Sequence, residues 1–497
     1  MGEAQGNLFE PDFNRSIKVQ STDQRLTSNA GVILLREAEH RLGLIDSIAQ
    51  NLLDPRDPRR IRYRLDELIR ERVFAMALGY SAQDDLDRLA HDPAFRAAVW
   101  NRSGDQVVAE RLASQPTQSR LIDTLTRNTA NIEALRGGLA HGIERHVLAS
   151  GGQRVRHATV DIDSFPIEVH GQQHGAKYNG YYRKTVYHPL VASLSVGGDY
   201  DANRDGQRLG NGFIHATLRQ GQVHTANGVK RFIDNVDSKA RKIAQHIDYR
   251  LDAGYTSGEV MDALSDKGLR FVGRLKTNAK LDALAAPHLT RPPGRPPTEG
   301  YEHVIELGSY QIDSWRHAKR LILVVVDQPD PVTGQLNLLP RYFFLITSWS
   351  PGQRSGKALL AHYRKRGTFE DRLGEFNAAI GVHLSSRDFK ENEATMLLAL
   401  LSFNLSSLCR LELEESVGGC WDLVRFQLFV LKVGAEITKH SRRLVVRIAE
   451  SARPLWSRFV ERLQRWALPE SHRITTARRS GFMPPPQHSH LSEVLRW

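Results

Sequence analysis

A change of texture at Gly151-Gly152 constrains the fold more than any other feature of the chain. Before it, apolar residues recur at helical spacing. After it, residues from Arg154 to Val169 alternate, and Val155, His157, Thr159, Asp161 and Asp163 fall on one side of a strand. Tyr182–Val196 reads as a second strand. Leu209–Leu218 reads as a third, ending at Gln220-Gly221-Gln222. A helix over about Val229–Ala244 leads into a compact strand, Ile247-Asp248-Tyr249-Arg250-Leu251-Asp252, closed by Ala253-Gly254-Tyr255. Gly258–Lys267 reads as a helix and Leu269–Leu275 as a strand. Three strands followed by helix–strand–helix–strand predict an α/β unit, a mixed sheet with helices packed on its faces.

The flanks differ from this unit. Residues up to about Ser28 are polar and irregular. Val32, Leu34, Leu35, Ala38, Leu42, Leu44, Ile45 and Ile48 then recur at helical spacing. A turn at Asp54-Pro55-Arg56-Asp57-Pro58 precedes a basic cluster, Arg59, Arg60, Arg62 and Arg64. Further helices are predicted over Arg64–Leu78, Ala82–Ala98 and Thr117–Leu148. Short helices with arginine-bearing turns suit a DNA-reading module, and equally a plain packing or dimerisation domain.

Beyond the Pro- and Arg-rich stretch Pro287–Pro297, short strands are predicted at Tyr301–Ser309, Tyr310–Arg316, Arg320–Asp327 and Tyr342–Ser348. Asp330-Pro331-Val332-Thr333-Gly334 reads as a turn between the last two. An apolar helix over Glu393–Leu413 and amphipathic helices over Trp421–Val433 and Val445–Leu463 follow. The tail is basic, from Lys439, Arg442 and Arg443 to Arg473, Arg478 and Arg479, and Met483-Pro484-Pro485-Pro486 reads as extended. The predicted organisation is a helical DNA-binding domain over 1–150 and a core whose first part spans 151–286. A β-rich insertion over 287–350, a second core part over 351–415 and a basic helical C-terminal region over 416–497 complete it.

Lys+Arg number 68 against 56 Asp+Glu, a net charge of +12 over 497 residues, which favours a polyanionic partner, nucleic acid first. Cys409 and Cys420 lack paired zinc spacing and fit a reducing cytoplasm. Met1-Gly2-Glu3-Ala4-Gln5 lacks a signal-peptide pattern. The apolar runs Leu321–Val326 and Met396–Leu408 are shorter than the about 20 residues that span a bilayer. A cytoplasmic protein without a membrane partner is expected.

Two features carry chemistry. Asp161 and Asp163 share one strand face, and Asp252 ends the fourth strand, where the two strands bring Asp163 and Asp252 face to face if they are neighbours. His362–Arg372 reads as one helix, with Tyr363, Arg366 and Glu370 at i, i+3 and i+7 and Asn377 two turns on. Carboxylates in apolar strands are costly unless paired or metal-bound. Three of them around two Mg²⁺ ions about 3.5–4 Å apart suit phosphodiester hydrolysis and transfer. Oxygen-only ligands favour Mg²⁺ or Mn²⁺ over zinc. Read singly, each element has another use. Asp163 can cap a turn before Ser164, Asp252 can cap the next helix, and the 362–372 stretch can be an exposed basic helix laced with pairs such as Arg366–Glu370.

Four stretches together resemble a known family. They are Arg72-Val73-Phe74-Ala75-Met76-Ala77-Leu78-Gly79-Tyr80 with Asp84-Asp85-Leu86, and Leu112-Ala113-Ser114-Gln115-Pro116-Thr117. The third is Asp161-Ile162-Asp163-Ser164 with His170-Gly171-Gln172-Gln173 and Tyr178-Asn179-Gly180-Tyr181-Tyr182. The fourth is Asp252-Ala253-Gly254-Tyr255 with Tyr363, Arg366 and Glu370. The chain resembles the DDE transposases of bacterial insertion sequences, transposase DDE domain group 1, whose RNase H-like core is interrupted by a β insertion. The resemblance implies a catalytic and metal-binding triad of Asp163, Asp252 and Glu370, with Asp161 as the alternative ligand. It implies DNA contacts from Tyr363 and Arg366. Many relatives carry a lysine seven residues after the glutamate, where Asn377 stands here, so either that phosphate contact is dispensable in this subgroup or Lys365 or Arg372 replaces it. It further implies two Mg²⁺ or Mn²⁺ ions, terminal inverted repeats and target DNA as partners, a homodimer on DNA, and a place on the bacterial nucleoid. An RNase H-like nuclease that cuts without joining, or a non-catalytic transposase-derived DNA-binding protein, are the rival expectations.

Overall fold

The computed structural model describes residues 7–102, 106–196, 211–223, 227–291, 300–329, 339–441 and 443–467. The expected turn at Asp330–Gly334, most of Pro287–Pro297, Arg442, and the tail with Arg473, Arg478, Arg479 and Met483–Pro486 lie outside them.

One eight-stranded sheet organises the chain. Its strands are β1 (Val155–Ser164), β2 (Leu190–Val196), β3 (Gly212–Thr217), β4 (Ala244–Leu251), β5 (Arg270–Leu275), β6 (Tyr301–Tyr310), β7 (Lys319–Asp327) and β8 (Arg341–Thr347). Their order is β6-β7-β8-β5-β4-β1-β2-β3. β4 is parallel to both β1 and β5, and the remaining pairs are antiparallel. The first five strands therefore lie in the order 3-2-1-4-5, the order of an RNase H-like core, and the predicted mixed sheet is present. The helices used below are α1 (Thr129–Gly151), α2 (Val229–Ile243), α3 (Gly258–Asp266), α4 (Gly356–Arg364), α5 (Gly367–Ala379) and α6 (Phe389–Val417).

Both faces of the sheet are covered. Phe232, Ile233, Val236 and Ala240 of α2 lie on one face with Met261 and Leu264 of α3. On the other, Leu359 and Leu360 of α4 close over Val272, Ile322, Val324 and Leu345. Phe369 and Phe376 seat α5 on the same side, against the rings of Phe213 and Phe403.

Several expectations change. The described strands of the 287–350 stretch, β6, β7 and β8, continue the core sheet, since β8 pairs with β5 from Val272↔Thr347 to Leu275↔Phe344. β7 and β8 are near-continuous apolar runs, the pattern of strands buried on both faces. Tyr310–Arg316 forms no strand of its own, since β6 runs unbroken to Tyr310. The predicted strand Tyr182–Val196 divides around Pro189, whose ring nitrogen has no proton for a ladder bond. The N-terminal helices share one apolar core with α6. The predicted helix over Val445–Leu463 is instead a strand, Arg443–Ile448, and a shorter helix, Arg453–Gln464. That strand pairs with Ala435–His440, which in turn meets Leu26–Thr27, so both ends of the described chain meet in one small sheet.

α6 is longer than the sequence suggests, 29 residues, and is apolar enough to cross a membrane, yet 89% of its apolar window is buried inside the protein. Buried Asn404 on α6 ties it to the edge strand β3. Its Oδ1 accepts from Phe213 N at 2.8 Å, and its Nδ2 donates to Phe213 O at 2.7 Å and Leu139 O at 3.2 Å. Asn404→Ala strands those backbone groups, and a loss of about 2–4 kcal/mol is expected. A lowered denaturation midpoint checks this; an unchanged midpoint refutes it.

Candidate active site

β1 and β4 are parallel neighbours, in register up to Ile162↔Leu251. Asp163 and Asp252 follow one residue later, side by side at the C-terminal ends of adjacent strands, roughly 4.8 Å apart by strand spacing. Such ends are where open α/β sheets place their ligands. The turn after Asp252 is closed by Tyr255 N donating to Asp252 O at 2.9 Å.

The third acid arrives on α5. The predicted 362–372 helix is divided: at Arg366 the bonding tightens to i→i+3, with Arg366 N to Tyr363 O and Phe369 N to Arg366 O both at 2.9 Å. Tyr363 therefore sits near the end of α4, while Glu370 lies in the first turn of α5. Arg366, 7% exposed, is the hinge of the group. Its Nη2 pairs with Asp163 Oδ2, and its Nη1 donates to Glu370 Oε1 at 3.2 Å. One guanidinium thus links a strand acid to the helix acid.

The electrostatics follow from burial. Burial pushes the Asp163 carboxyl above the usual carboxylate range and neighbouring Asp252 adds to the rise, while Arg366 and the Ser164 N–H oppose it. Burial works against the Arg366 charge, but Asp163 and Asp252 outweigh it and raise its pKa. Burial lifts the Tyr363 hydroxyl to about 12, with Asp252 and Asp163 adding to the shift and Arg366 opposing it. Tyr363 therefore stays protonated at neutral pH and can donate.

The other predicted residues separate from this group. Asp161 accepts Arg250 Nε at 2.8 Å and Nη2 at 2.6 Å, and both side chains are buried. Arg250 also donates to His362 O at 3.2 Å, so this pair fastens β1 and β4 to α4. Arg372 turns toward the sheet, with Nη2 3.3 Å from Ser195 Oγ, and burial lowers its pKa to about 10. It does not share the face of Arg366, and the expectation that it contacts phosphate is corrected. Lys365 and Asn377 are exposed.

Sequence reasoning missed the second polar layer. Tyr255 donates its hydroxyl to Ser164 Oγ at 2.9 Å, and Ser164 Oγ lies 2.8 Å from His188 Nε2. This ties the loop after Asp252 to the strand end after Asp163. Both residues lie in motifs already singled out, but only the fold shows that they meet. Arg274 was missed too. It lies 5.2 Å over the Phe343 ring and lines an open groove of about 600 Å³ with Val326, Pro340, Arg341 and Tyr342. Its charge reaches Tyr363.

The residues suit a hard divalent cation in donor chemistry, since all three acids offer oxygen and Asp163 and Asp252 follow the paired residues Ile162 and Leu251 side by side. Among the described residues, no three His, Cys, Asp or Glu side chains stand close enough together to hold a metal as placed. Glu370, 70% exposed, would have to turn from Arg366.

The profile of the family described as transposase DDE domain group 1 matches residues 9–468. No curated protein matches the chain. Among solved structures, a piggyBac transposase synaptic complex with hairpin DNA is similar at 12% identity and a TM-score of 0.39, covering 93% of this chain and 87% of that one.

Proposed function

This chain belongs to the transposase DDE domain group 1 family, and from that premise we propose that it binds the terminal inverted repeats of an insertion sequence and cuts and joins DNA at Asp163, Asp252 and Glu370. One observation supports the site above all. Two acids sit on adjacent strand ends and a third on the covering helix, and one buried arginine pairs with both Asp163 and Glu370.

In this reading Asp163, Asp252 and Glu370 hold two Mg²⁺ or Mn²⁺ ions, which when bound supply Lewis-acid activation of the attacking and leaving oxygens. Arg366 is then the fixed positive charge beside the pentacovalent phosphate. Tyr363, kept protonated, donates to a non-bridging phosphate oxygen. Water adds to the scissile phosphorus, the P–O3′ bond breaks, and the freed 3′ oxygen takes a proton. That 3′ hydroxyl next attacks a phosphorus of the other strand or of target DNA, displacing a second 3′ oxygen. Both ends must be cut together, which favours a homodimer on DNA. Recognition of the repeat is assigned to the helical N-terminal region, whose exposed turn carries Arg59 and Arg60, and loss of end binding in an Arg59→Gln/Arg60→Gln variant checks that assignment.

The test is a labelled duplex carrying the element's terminal inverted repeat, incubated with the protein and Mg²⁺. Cleaved 3′ ends and joined products are expected. Cleavage without joining would make the protein a nuclease, and binding without cleavage would make it a non-catalytic descendant.

A further inference from the structure

A hairpin beside the acids presents aromatic rings to solvent. Lys177–Asn179 and Lys184–Tyr187 pair antiparallel, and residues 180–183 form the turn between them. At this tip Tyr178 is 62% exposed and Tyr181 is 88% exposed. A ring so exposed gains almost nothing from the fold, so stability does not account for it.

The tip is built, not slack. Arg183 takes a left-handed backbone, φ 55°, which is strained for a residue with a Cβ. Its N–H donates to Asn179 O at 2.8 Å. Asn179 Oδ1 accepts from Tyr181 N at 3.1 Å, and its Nδ2 donates to Gly221 O at 2.8 Å. Gly221 is packed so closely that a Cβ there would lie 2.1 Å from Val186 O, so this anchor admits only glycine. Tyr182 stands edge-on to Tyr181, with ring centroids 5.0 Å apart, and also packs on His188. His188 holds Ser164, the residue after Asp163, and the Tyr182 hydroxyl feels the Asp163 charge. The tip therefore stands next to the acids. Among the described residues no carboxylate pairs with its Lys177 or Arg183.

We propose that this hairpin grips DNA at the cleavage site, with Tyr181 stacking on an unpaired base next to the scissile phosphate and Lys177 and Arg183 contacting the backbone. An exposed ring flanked by cations matches a nucleic-acid strand, which offers a flat base and a phosphate at each step. An acidic peptide would use the cations and leave the rings idle. The inference rests on the function proposed above.

The test uses the full chain and the terminal-repeat duplex, with three unpaired nucleotides at the cut and 2-aminopurine among them. Wild-type binding should quench the probe. Tyr181→Ala should abolish the quenching and weaken binding of this substrate by roughly 5- to 100-fold, whereas Tyr181→Phe should retain both. Arg183→Gln should lower the salt dependence of binding without changing the quenching. Wild-type quenching and affinity in Tyr181→Ala, alongside normal cutting by wild type, overturn the hairpin's role and leave the transposase reading intact. Equal losses in Tyr181→Phe overturn stacking. A wild type that neither binds nor cuts the duplex overturns both.

Discussion

Glu370→Gln should lose both cleavage and joining, by on the order of 10³-fold, while binding the terminal-repeat duplex within about twofold of wild type. The side chain is 70% exposed and, among the described residues, its ion pair is with Arg366, so the fold does not depend on its charge. Exposed pairs of this kind contribute about 0–1 kcal/mol, and the denaturation midpoint should barely move. The amide keeps the size of the carboxylate but removes the anionic oxygen that the proposed site needs for a divalent ion. Binding should survive because the groups assigned to DNA, Tyr363, Arg366 and the exposed Arg59 and Arg60, are all left in place. Cleavage that persists in Glu370→Gln would place the chemistry at another acid; loss of binding as well would mean that the substitution disturbs α5 instead.

The parts of the site that were legible in the sequence are those set by local period. Alternation along β1 put Asp161 and Asp163 on one face, and the i, i+3, i+7 spacing brought Tyr363, Arg366 and Glu370 to one side even though the helix breaks between them. Which acid stays available was not legible. Asp161 and Asp163 have the same pattern, and only the register that sets Arg250 opposite Asp161 separates them. Arg372 could have been excluded earlier, since six residues from Arg366 is about 240° around a helix. The pairing of β8 with β5 was hidden because strand order is a tertiary choice that alternation does not encode. The strand Arg443–Ile448 reads as helix in the sequence because Leu444, Val445 and Val446 fit a helix face as well as a strand, and pairing with Ala435–His440 decides between them.

Asp161→Asn and Asp163→Asn should therefore behave differently. Asp161 and Arg250 are both buried, and the carboxylate takes two of the guanidinium's bonds. Removing its charge leaves a buried arginine without its counter-ion, at a loss of about 3–5 kcal/mol. Asp163 is the reverse case. Its carboxyl holds its proton to a higher pH when folded than when unfolded. The unfolded chain thus ionises first, and as pH rises from the usual carboxylate range through the folded value, ionisation draws the protein toward unfolding. Asparagine removes that loss, and Arg366 keeps Glu370 as a partner and Asp252 as a neighbouring charge. At neutral pH Asp163→Asn should therefore lower the denaturation midpoint less than Asp161→Asn does, while losing cleavage. Asp161→Asn should lower the midpoint, and at a temperature where it stays folded it should still cut. Measuring midpoint and cleavage for both variants in one buffer decides the matter. A stable Asp161→Asn that cannot cut, beside an Asp163→Asn that can, would transfer the ligand role to Asp161 and leave Asp163 as the partner that holds Arg366.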